Sequence, residues 1–262
     1  MFAHERHERI AALAAAEGRV SVHELAELFD VTQETVRRDL DALEAEGKLR
    51  RVHGGAIAMD RLSMVEPSLS ERQSQNQQQK QRIARAALRF LPRTSTASVI
   101  LDAGTSTELL AEQLTAWAPA AAAEELLVIT NAVPIAQRLC NRPEVSLEIL
   151  GGRVRGLTSA AVGSGVIAQL QGLRPDIAFI GANGLHSRFG LSTPDALEAA
   201  VKTAMVQVAH RVVALVDSSK FEQETLVRFA ALEAIDVLVT DQRPGAELAA
   251  ALDQAGVDVV VA

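Results

Sequence analysis

The sequence has little that could anchor it through covalent links or a membrane. Its 262 residues include a single cysteine, so a disulfide framework is impossible. Cys140 falls at the apolar end of a predicted helix, which favours a buried core thiol over a catalytic one. The start, MFAHERHERI, is charged, and no later apolar run is long enough to span a bilayer. We therefore expect a cytoplasmic protein with no signal peptide and no membrane partner.

Basic charge is also scarce. The chain has a formal net charge of −7 at pH 7, which argues against bulk attraction to nucleic acid. The first 60 residues hold 8 lysines or arginines against 12 acidic residues. Any contact of this region with DNA would therefore depend on a local basic cluster.

Motifs for bound cofactors are missing as well. No Walker-type phosphate loop is present, which argues against an ATP-driven activity. The histidines have neither cysteine partners nor an HExxH arrangement, so we expect solvent-exposed imidazoles and no metal site. The segment GSGVIA at 163–168 has the spacing of a dinucleotide-binding turn, but no convincing strand precedes it and no acidic residue follows at the right distance. We interpret it as a helix start and expect no cofactor.

The first 60 residues carry the most informative pattern that is present. Ile10, Leu13 and Ala14 recur at helical spacing and predict a first helix. Ser21 with Glu24 forms a capping-box pattern that predicts the start of a second helix. Two helices are therefore expected before residue 30.

A third helix is predicted from a cap at Thr32 to a stop at Gly47, with an apolar stripe on one face. The opposite face carries polar and basic side chains, which would reach base edges if this helix lay in the major groove of DNA. The run KLRRVHGGAIA then predicts a strand, a glycine turn and a second strand. Such a wing would touch phosphate or the minor groove. The side chains predicted to contact DNA are Gln33, Thr35, Arg37, Arg38, Lys48, Arg50, Arg51 and His53.

Helix-turn-helix patterns also occur in ordinary helical bundles, and adjacent arginines usually form a solvated surface. Here the cap, the turn, the paired arginines and the basic wing follow one another in sequence. That order favours a winged helix-turn-helix domain.

Two domains are predicted. The first spans residues 1–60, and residues 61–78, which are polar, glutamine-rich and broken by Pro67, form a linker. Residues 79–262 are long enough to bury a sizeable core of their own. The first helix of this larger domain would bury Ile83, Ala84, Ala87 and Leu88.

From residue 98 onward, short apolar runs alternate with helical patterns. Continuous apolar strands separated by helices predict a doubly wound, mainly parallel α/β sheet covered on both faces. Ligands of such sheets bind where loops leave the carboxyl ends of the strands. The candidate strands are SVILD, LLVIT, LEIL, IAFIG, VVALVD, DVLVT and VDVVV.

The loop DAGTST after the first of these strands is the best phosphate candidate. Gly104 would let the backbone turn tightly, and Thr105 with Glu108 forms a second capping-box pattern. The amides of residues 105–107 would then point at a bound anion. A plain strand-to-helix turn is the alternative for this loop alone.

Further polar or glycine loops converge on the same rim. Residues 217–220 offer a carboxylate, hydroxyls and an ammonium, a combination suited to sugar hydroxyls together with a phosphate. Lys202 lies on a predicted helix and could face either this rim or solvent. The other loops contain Thr130, Asn131, Gly151, Gly152 and residues 181–184.

These motifs resemble a known family. The segment VTQETVRRDLDALEAEGKLRRVHGGA is similar to the signature of the DeoR family of bacterial transcriptional regulators. DAGTST, TNAVPIAQRL, LGGRVR, IGANG and VDSSKF are similar to successive motifs of that family's effector domain, so the resemblance covers nearly the whole chain. It implies a sensor domain that holds a phosphorylated sugar or related metabolite and has the fold of sugar-phosphate isomerases.

The resemblance also implies which side chains meet the effector. The candidates are Asp102, Gly104, Thr105, Ser106, Thr107, Thr130, Asn131, Gly152, Arg153, Gly181, Asn183, Lys202, Asp217 and Lys220. Glu222 departs from the pattern, because many relatives have glycine there, and it would add a negative charge near the phosphate.

Two functional classes follow. The first is a repressor of carbohydrate-metabolism genes, a homodimer or homotetramer that binds a double-stranded DNA operator and is controlled by a phosphorylated sugar. The second is a sugar-phosphate isomerase with an accessory DNA-binding domain. Asp102, Glu198 and Asp217 could supply carboxylates to such an enzyme, but no spacing singles out a base. We favour the regulator and assign no catalytic residue.

Overall fold

The computed structural model describes residues 3–17, 19–52, 54–58, 68–91, 96–115 and 125–262. His53 and Pro67, both named in the sequence predictions, lie outside these residues, as does the side chain of Arg50. The chain divides into two compact units, residues 1–66 and residues 67–262.

The first unit is a winged helix-turn-helix, as the sequence predicted. Ser21 Oγ accepts a hydrogen bond from the Glu24 amide, and Thr32 Oγ1 accepts one from Thr35, so both predicted caps form. The three strands form one antiparallel sheet in the order β1-β3-β2. The elements are α1 (Ala3–Glu17), β1 (Arg19–Ser21), α2 (Val22–Phe29), α3 (Gln33–Ala45), β2 (Leu49–Val52) and β3 (Gly55–Ala58).

The wing depends on one close backbone approach. A Cβ atom added to Gly55 would lie 2.0 Å from the carbonyl oxygen of Val20 on β1. Val20 pairs with Ala56, so β3 lies against β1 at a distance that only glycine permits at residue 55.

The second unit contains seven α-helices within the described residues: α4 (Leu69–Ser74), α5 (Gln77–Ala87), α6 (Thr105–Leu114), α7 (Val133–Leu139), α8 (Ser164–Gln171), α9 (Ala196–Val208) and α10 (Ala246–Gln254). Its strands are β4 (Thr96–Leu101), β5 (Glu125–Thr130), β6 (Val145–Ile149), β7 (Arg153–Arg155), β8 (Ala160–Val162), β9 (Ile177–Gly181), β10 (Gly184–His186), β11 (Gly190–Thr193), β12 (Arg211–Leu215), β13 (Val227–Ala230), β14 (Val237–Thr240) and β15 (Asp258–Val261).

A seven-stranded parallel sheet organises this unit, in the order β15-β14-β12-β9-β4-β5-β6. All seven predicted strands are present in it. Alternate residues enter separate hydrophobic clusters: Ile177 and Phe179 of β9 pack on one face, and Ala178 and Ile180 on the other. The doubly wound arrangement is therefore confirmed.

Smaller antiparallel elements were not predicted. β7 and β8 form a hairpin, and β10, β11 and β13 form a three-stranded sheet. β8 precedes the GSGVIA segment, where we had seen no convincing strand, but it belongs to the hairpin and not to the parallel sheet. Gly163 caps α8, in agreement with the interpretation of that segment as a helix start.

Two sequence expectations need correction here. The predicted linker is too long, because α4 and the start of α5, with a turn at residues 75–76 between them, belong to the second unit. Gln73 and Asn76 are hydrogen-bonded to that unit. Cys140 is exposed, and the prediction of a buried thiol was wrong. Cys140 is the cap that follows the buried Leu139 at the end of α7, so the helix points it outward.

Candidate functional site

A polar cleft lies where the order of the parallel strands reverses. After β4 the chain builds β5 and β6 on one side and later places β9 and β12 on the other. The loops that leave the carboxyl ends of β4, β9 and β12 therefore meet there, at the position where such sheets bind ligands. The cleft is lined by Arg72, Gln75, Asn76, Lys80, Ala103, Gly104, Thr105, Ser106, Gly181, Ala182, Asn183, Glu198, Lys202, Leu215, Asp217 and Lys220.

Eight of the predicted effector residues line this cleft. They come from four separate segments of the chain, which the fold brings together at one rim. These residues are Gly104, Thr105, Ser106, Gly181, Asn183, Lys202, Asp217 and Lys220.

One wall of the cleft contains a buried ion pair. The ammonium of Lys202 on α9 donates to Asp102, which follows β4, and also to the Gly181 carbonyl oxygen at 3.0 Å. The side chains are 5% and 1% exposed. Burial raises the pKa of the Asp102 carboxyl, and the contacts with Lys202 and the Gly181 amide act in the opposite sense. Asp102 therefore orients Lys202 and offsets its charge, and lies behind the cleft rather than in it.

The start of α6 borders the cleft without a side-chain cap. Gly104 is the N-cap residue, and the predicted capping box of Thr105 with Glu108 is absent from this helix. Thr107 instead turns inward and donates to the carbonyl oxygens of Asp102 and Gly104. Gly104 has a φ of 173°, so it provides an open N-cap rather than a tight turn. The first amides of α6 are thus available to an anion in the cleft.

The opposite side of the cleft carries further cations. Arg72 of α4, Lys80 of α5 and Lys220 all line it. Asn76, at the joint between α4 and α5, donates from Nδ2 to Asp217 Oδ1 and to Ser219 Oγ, each at 3.0 Å. These two hydrogen bonds connect the turn between α4 and α5 to the loop that follows β12.

Other predicted effector residues support the cleft from outside it. Thr130 donates to the Leu101 carbonyl oxygen, and Asn131 accepts from the Ala103 amide while donating to the Ala161 carbonyl oxygen. These bonds tie the loops after β4 and β5 together. Gly152 and Arg153 are exposed at the start of the β7–β8 hairpin and do not line the cleft.

Glu222 is placed differently from the sequence expectation. It has a φ of +53°, a left-handed conformation that glycine adopts without strain. Its carboxylate accepts from the amide and the hydroxyl of Ser187 at 3.2 and 3.1 Å. It does not line the cleft, so its charge is directed at the β10–β11 hairpin.

Sequence reasoning assigned residues 61–78 to a linker and therefore missed α4 and the start of α5. It predicted the apolar face of α5 but did not recognise that Lys80 lines the cleft. One signal was available. Lys80 precedes Ile83, Ala84 and Ala87 at the spacing of one helical face, and all four are buried. A lysine on an apolar stripe is a buried charge that needs partners. Lys80 therefore indicates that polar partners lie near this helix, and the other cleft residues of this segment are Arg72, Gln75 and Asn76.

The first unit presents a different kind of surface. Gln33, Arg37 and Arg38 are exposed on α3, and Thr35 is half-buried near its start. Glu34 lies 3.7 Å from Arg37 and 3.5 Å from Arg38, between exposed side chains whose pairing contributes little. These side chains can therefore rearrange toward a ligand at small cost.

The basic side chains predicted for the wing differ in how available they are for contact with DNA. Arg51 donates to the Arg37 carbonyl oxygen and to the Asp41 carboxylate, so it braces β2 against α3 and is less available than predicted. Lys48 is exposed and pairs with Glu46 at 2.8 Å. Nothing is described for the side chains of Arg50 and His53.

A buried ionic cluster joins α1 to α3. Asp39 accepts hydrogen bonds from Arg6, at 2.5 and 2.9 Å, and lies 2.9 Å from His7 Nε2. Burial raises the pKa of Asp39, but the bonds from Arg6 and His7 outweigh it, so this pKa lies below its ordinary value. His7 is half-buried, contrary to the expectation of an exposed imidazole. The cluster fixes the orientation of α3 on its scaffold.

No helix among the described residues combines the length and apolar character needed to cross a membrane.

Comparison with known proteins gives matches over both units. The model of the DeoR-like helix-turn-helix domain matches residues 6–61, and that of the DeoR C terminal sensor domain matches residues 75–242. The uncharacterized HTH-type transcriptional regulator FruR of Bacillus subtilis (strain 168) is 33% identical over 92% of each chain. The glycerol-3-phosphate regulon repressor of Escherichia coli (strain K12) is 29% identical over 92% of this chain and 91% of that protein.

Among solved structures, ribose 5 phosphate isomerase A from Neisseria gonorrhoeae aligns with 54% of this chain and 52% of its own. The TM-score is 0.36 and the sequence identity 13%.

Proposed function

This chain belongs to the DeoR family of transcriptional regulators, and from that premise we propose that it represses carbohydrate-metabolism genes under the control of a phosphorylated sugar. The first unit would bind a double-stranded DNA operator, and the cleft of the second unit would bind the effector. We place this function in the cytoplasm, where the operator is found.

The composition of the cleft is the observation that supports a phosphorylated sugar. Lys80, Lys220 and Arg72 supply cationic donors beside the open start of α6, which suits a phosphate. Asp217 and Asn183 supply a carboxylate and an amide, which suit sugar hydroxyls. The relative from Escherichia coli is named for the regulon of a phosphorylated three-carbon metabolite, and this agrees with a small phosphorylated ligand.

On DNA, we propose that α3 lies in the major groove. Arg37 and Arg38 would read bases or clamp phosphates, Gln33 and Thr35 would contact the groove near the helix start, and the wing would touch the backbone. Paired recognition helices match a two-fold operator, so we propose a homodimer or homotetramer.

The isomerase alternative is less well supported. An isomerase needs a carboxylate base that is free to exchange a proton with its substrate. Asp102 is instead bound by Lys202, and Glu198 accepts from Thr158 Oγ1 and, at 3.1 Å, from Arg155. These contacts give Asp102 and Glu198 structural roles.

The function is tested by measuring binding of the purified protein to DNA upstream of its own gene neighbourhood, with and without a panel of sugar phosphates. Salt must be fixed, because phosphate contacts make affinity strongly salt-dependent. Specific binding that one sugar phosphate relieves is the expected result. Turnover of a sugar phosphate without any DNA binding would replace the regulator with the isomerase.

Substitution in α3 tests the DNA surface directly. Arg37→Ala and Arg38→Ala should each weaken operator binding by roughly 1–3 kcal/mol if these side chains read bases. Arg174→Ala, which removes an exposed arginine of the second unit, is the matched control and should leave affinity unchanged. Unaltered affinity in both α3 variants would exclude α3 as the recognition helix.

A further inference from the structure

We propose that Lys80 binds the anionic group of the ligand in the cleft. Because Lys80 also donates to the backbone carbonyl oxygen of Arg72, the bound ligand stabilises the attachment of α4 to the rest of the second unit. The inference rests on the proposed function in one respect, the anionic character of the ligand.

Lys80 is positioned to contact two partners at once. It lies on the buried face of α5, is 5% exposed, and lines the cleft. Its Nζ donates to the carbonyl oxygen of Arg72. An ammonium has three N–H donors and this bond uses one, so Lys80 can hold the carbonyl and a ligand oxygen together.

The surroundings of Lys80 favour an anionic partner. Asp217 and Lys220 face it from the loop after β12, Arg72 from α4 and Glu108 from α6. Asp217 already accepts from Asn76 and Ser219, and Glu108 accepts from Gln73 at 2.8 Å. Both carboxylates therefore have other partners, and neither fully compensates the lysine.

The protonation of Lys80 is finely balanced for the same reason. Burial lowers its pKa to about 8, with smaller contributions from the two neighbouring cations, while Asp217 and Glu108 raise it. A bound phosphate would raise this pKa again, since an opposite charge favours the charged form. Ligand binding thus holds a proton on Lys80 and strengthens its bond to the Arg72 carbonyl.

None of the side chains of α4 is fully buried, so hydrophobic packing contributes little to its attachment. One stronger hydrogen bond therefore changes the stability of this helix noticeably. Polar contacts attach it to the rest of the unit. The Leu69 amide donates to the Leu157 carbonyl oxygen at 3.2 Å, and Gln73 donates to Glu108. Elements held in this way open at low free-energy cost.

The position of α4 in the chain indicates how its stabilisation could affect DNA binding. α4 begins at Leu69, and the chain that precedes it leads back to the DNA-binding unit. A ligand that stabilises α4 therefore stabilises the helix to which the chain from the DNA-binding unit is joined.

The test combines calorimetric binding of inorganic phosphate and of the sugar-phosphate panel with amide hydrogen exchange on α4. In the unmodified protein we expect each active ligand to slow exchange across residues 72–76. Affinity should fall up to about tenfold per pH unit above pH 8, as Lys80 loses its proton in the free protein. Lys80→Met should bind at least about tenfold more weakly and show no slowing on α4, since it lacks a charge-assisted bond.

Lys80→Arg is the second variant, because it keeps a buried charge that does not titrate in this range. It should retain binding while losing the pH dependence above pH 8. Arg174→Met, which removes an exposed cation of the second unit outside the cleft, serves as the matched control and should bind anions and slow exchange on α4 as the unmodified protein does.

The possible failures are distinguishable. If a sugar phosphate binds and Lys80→Met matches the unmodified protein in affinity and exchange, the role of Lys80 is refuted while the proposed function stands. If inorganic phosphate slows exchange through Lys80 but no sugar phosphate binds, the proposed effector is refuted and the role of Lys80 stands. Absence of binding by every anion refutes both.

Discussion

The two units place their functional side chains in opposite environments. Arg38 on α3 has a side chain that is 79% exposed, whereas Lys202 in the cleft is 5% exposed. The exposed arginine gains little from its partner Glu34, so it remains available to an external anion. The buried lysine is desolvated and oriented by the fold itself. On the proposed function, the first unit would bind a large partner through exposed charges, and the second would bind a small one through buried charges.

The units also differ in how far apart the interacting residues lie in sequence. On α3, Glu34 pairs with residues three and four positions away. In the second unit, Asp102 and Lys202 are 100 positions apart, and Asn76 and Asp217 are 141 apart. A surface built from one helix needs only that helix, whereas a cleft built from five segments needs the whole sheet.

The largest effect should come from breaking the wing while leaving the cleft intact. In Gly55→Val, the new Cβ would meet the Val20 carbonyl oxygen at 2.0 Å, and neither backbone can yield without unpairing β3 from β1. We expect the first unit to lose about 4 kcal/mol of stability. Hydrogen exchange in each unit measures this, and DNA binding should disappear while sugar-phosphate binding persists.

Gly54→Ala is the matched control for this change. Gly54 has a φ of +79°, but no atom lies within 4 Å of an added Cβ. Only backbone strain remains, so the cost should be about 1 kcal/mol. Loss of effector binding in Gly55→Val would show that the units do not fold independently and would remove the basis of the comparison.

The second-largest effect concerns the buried ion pair of the first unit, which contrasts with the exposed charges on α3. Asp39→Asn preserves shape and removes the charge that Arg6 and His7 bind. We expect a loss of about 3 kcal/mol, because the Arg6 guanidinium is left buried without a counter-charge. Operator affinity should fall as well, since the cluster orients α3. Unchanged unfolding would mean that the pair contributes nothing.

Acid should reveal the same cluster in the unmodified protein. The pKa of Asp39 is lower in the folded state, so its stabilisation is complete above the unfolded pKa of about 3.9 and is lost as pH falls through the folded value. Urea unfolding between pH 5 and pH 2, followed by exchange in the first unit, should show this loss. Asp39→Asn should not show it.

The sequence predicted the elements of both units well and the cleft only in part. Caps at Ser21 and Thr32 are local features, and seven apolar runs are sufficient to define a parallel sheet. The loops after these strands were therefore recognisable as a rim. What the sequence did not reveal was which polar groups would face the cleft, because Thr130 and Asn131 look as suitable for a ligand as Asp217 does.

The missed and misplaced residues share a physical cause. The apolar face of the helix that carries Lys80 was predicted, but its place at the cleft was not, because the preceding glutamine-rich segment resembles a linker and not a helix that packs beside it. Arg51 was assigned to DNA because its carboxylate partner, Asp41, lies on another element. In both cases the decisive contact is tertiary, so spacing can show that a charged side chain needs a partner but not which partner it finds.

The smallest effect concerns Glu222, whose charge the sequence predicts near the bound phosphate. Glu222→Ala keeps the left-handed backbone and loses the bonds to Ser187, so it should destabilise the second unit by about 1 kcal/mol. Glu222→Gly loses the same bonds but relieves the backbone, so its stability should lie close to that of the unmodified protein. Thermal unfolding measures both. Neither variant should change effector affinity, because the carboxylate faces the β10–β11 hairpin, and tighter binding in both would place its charge at the cleft after all.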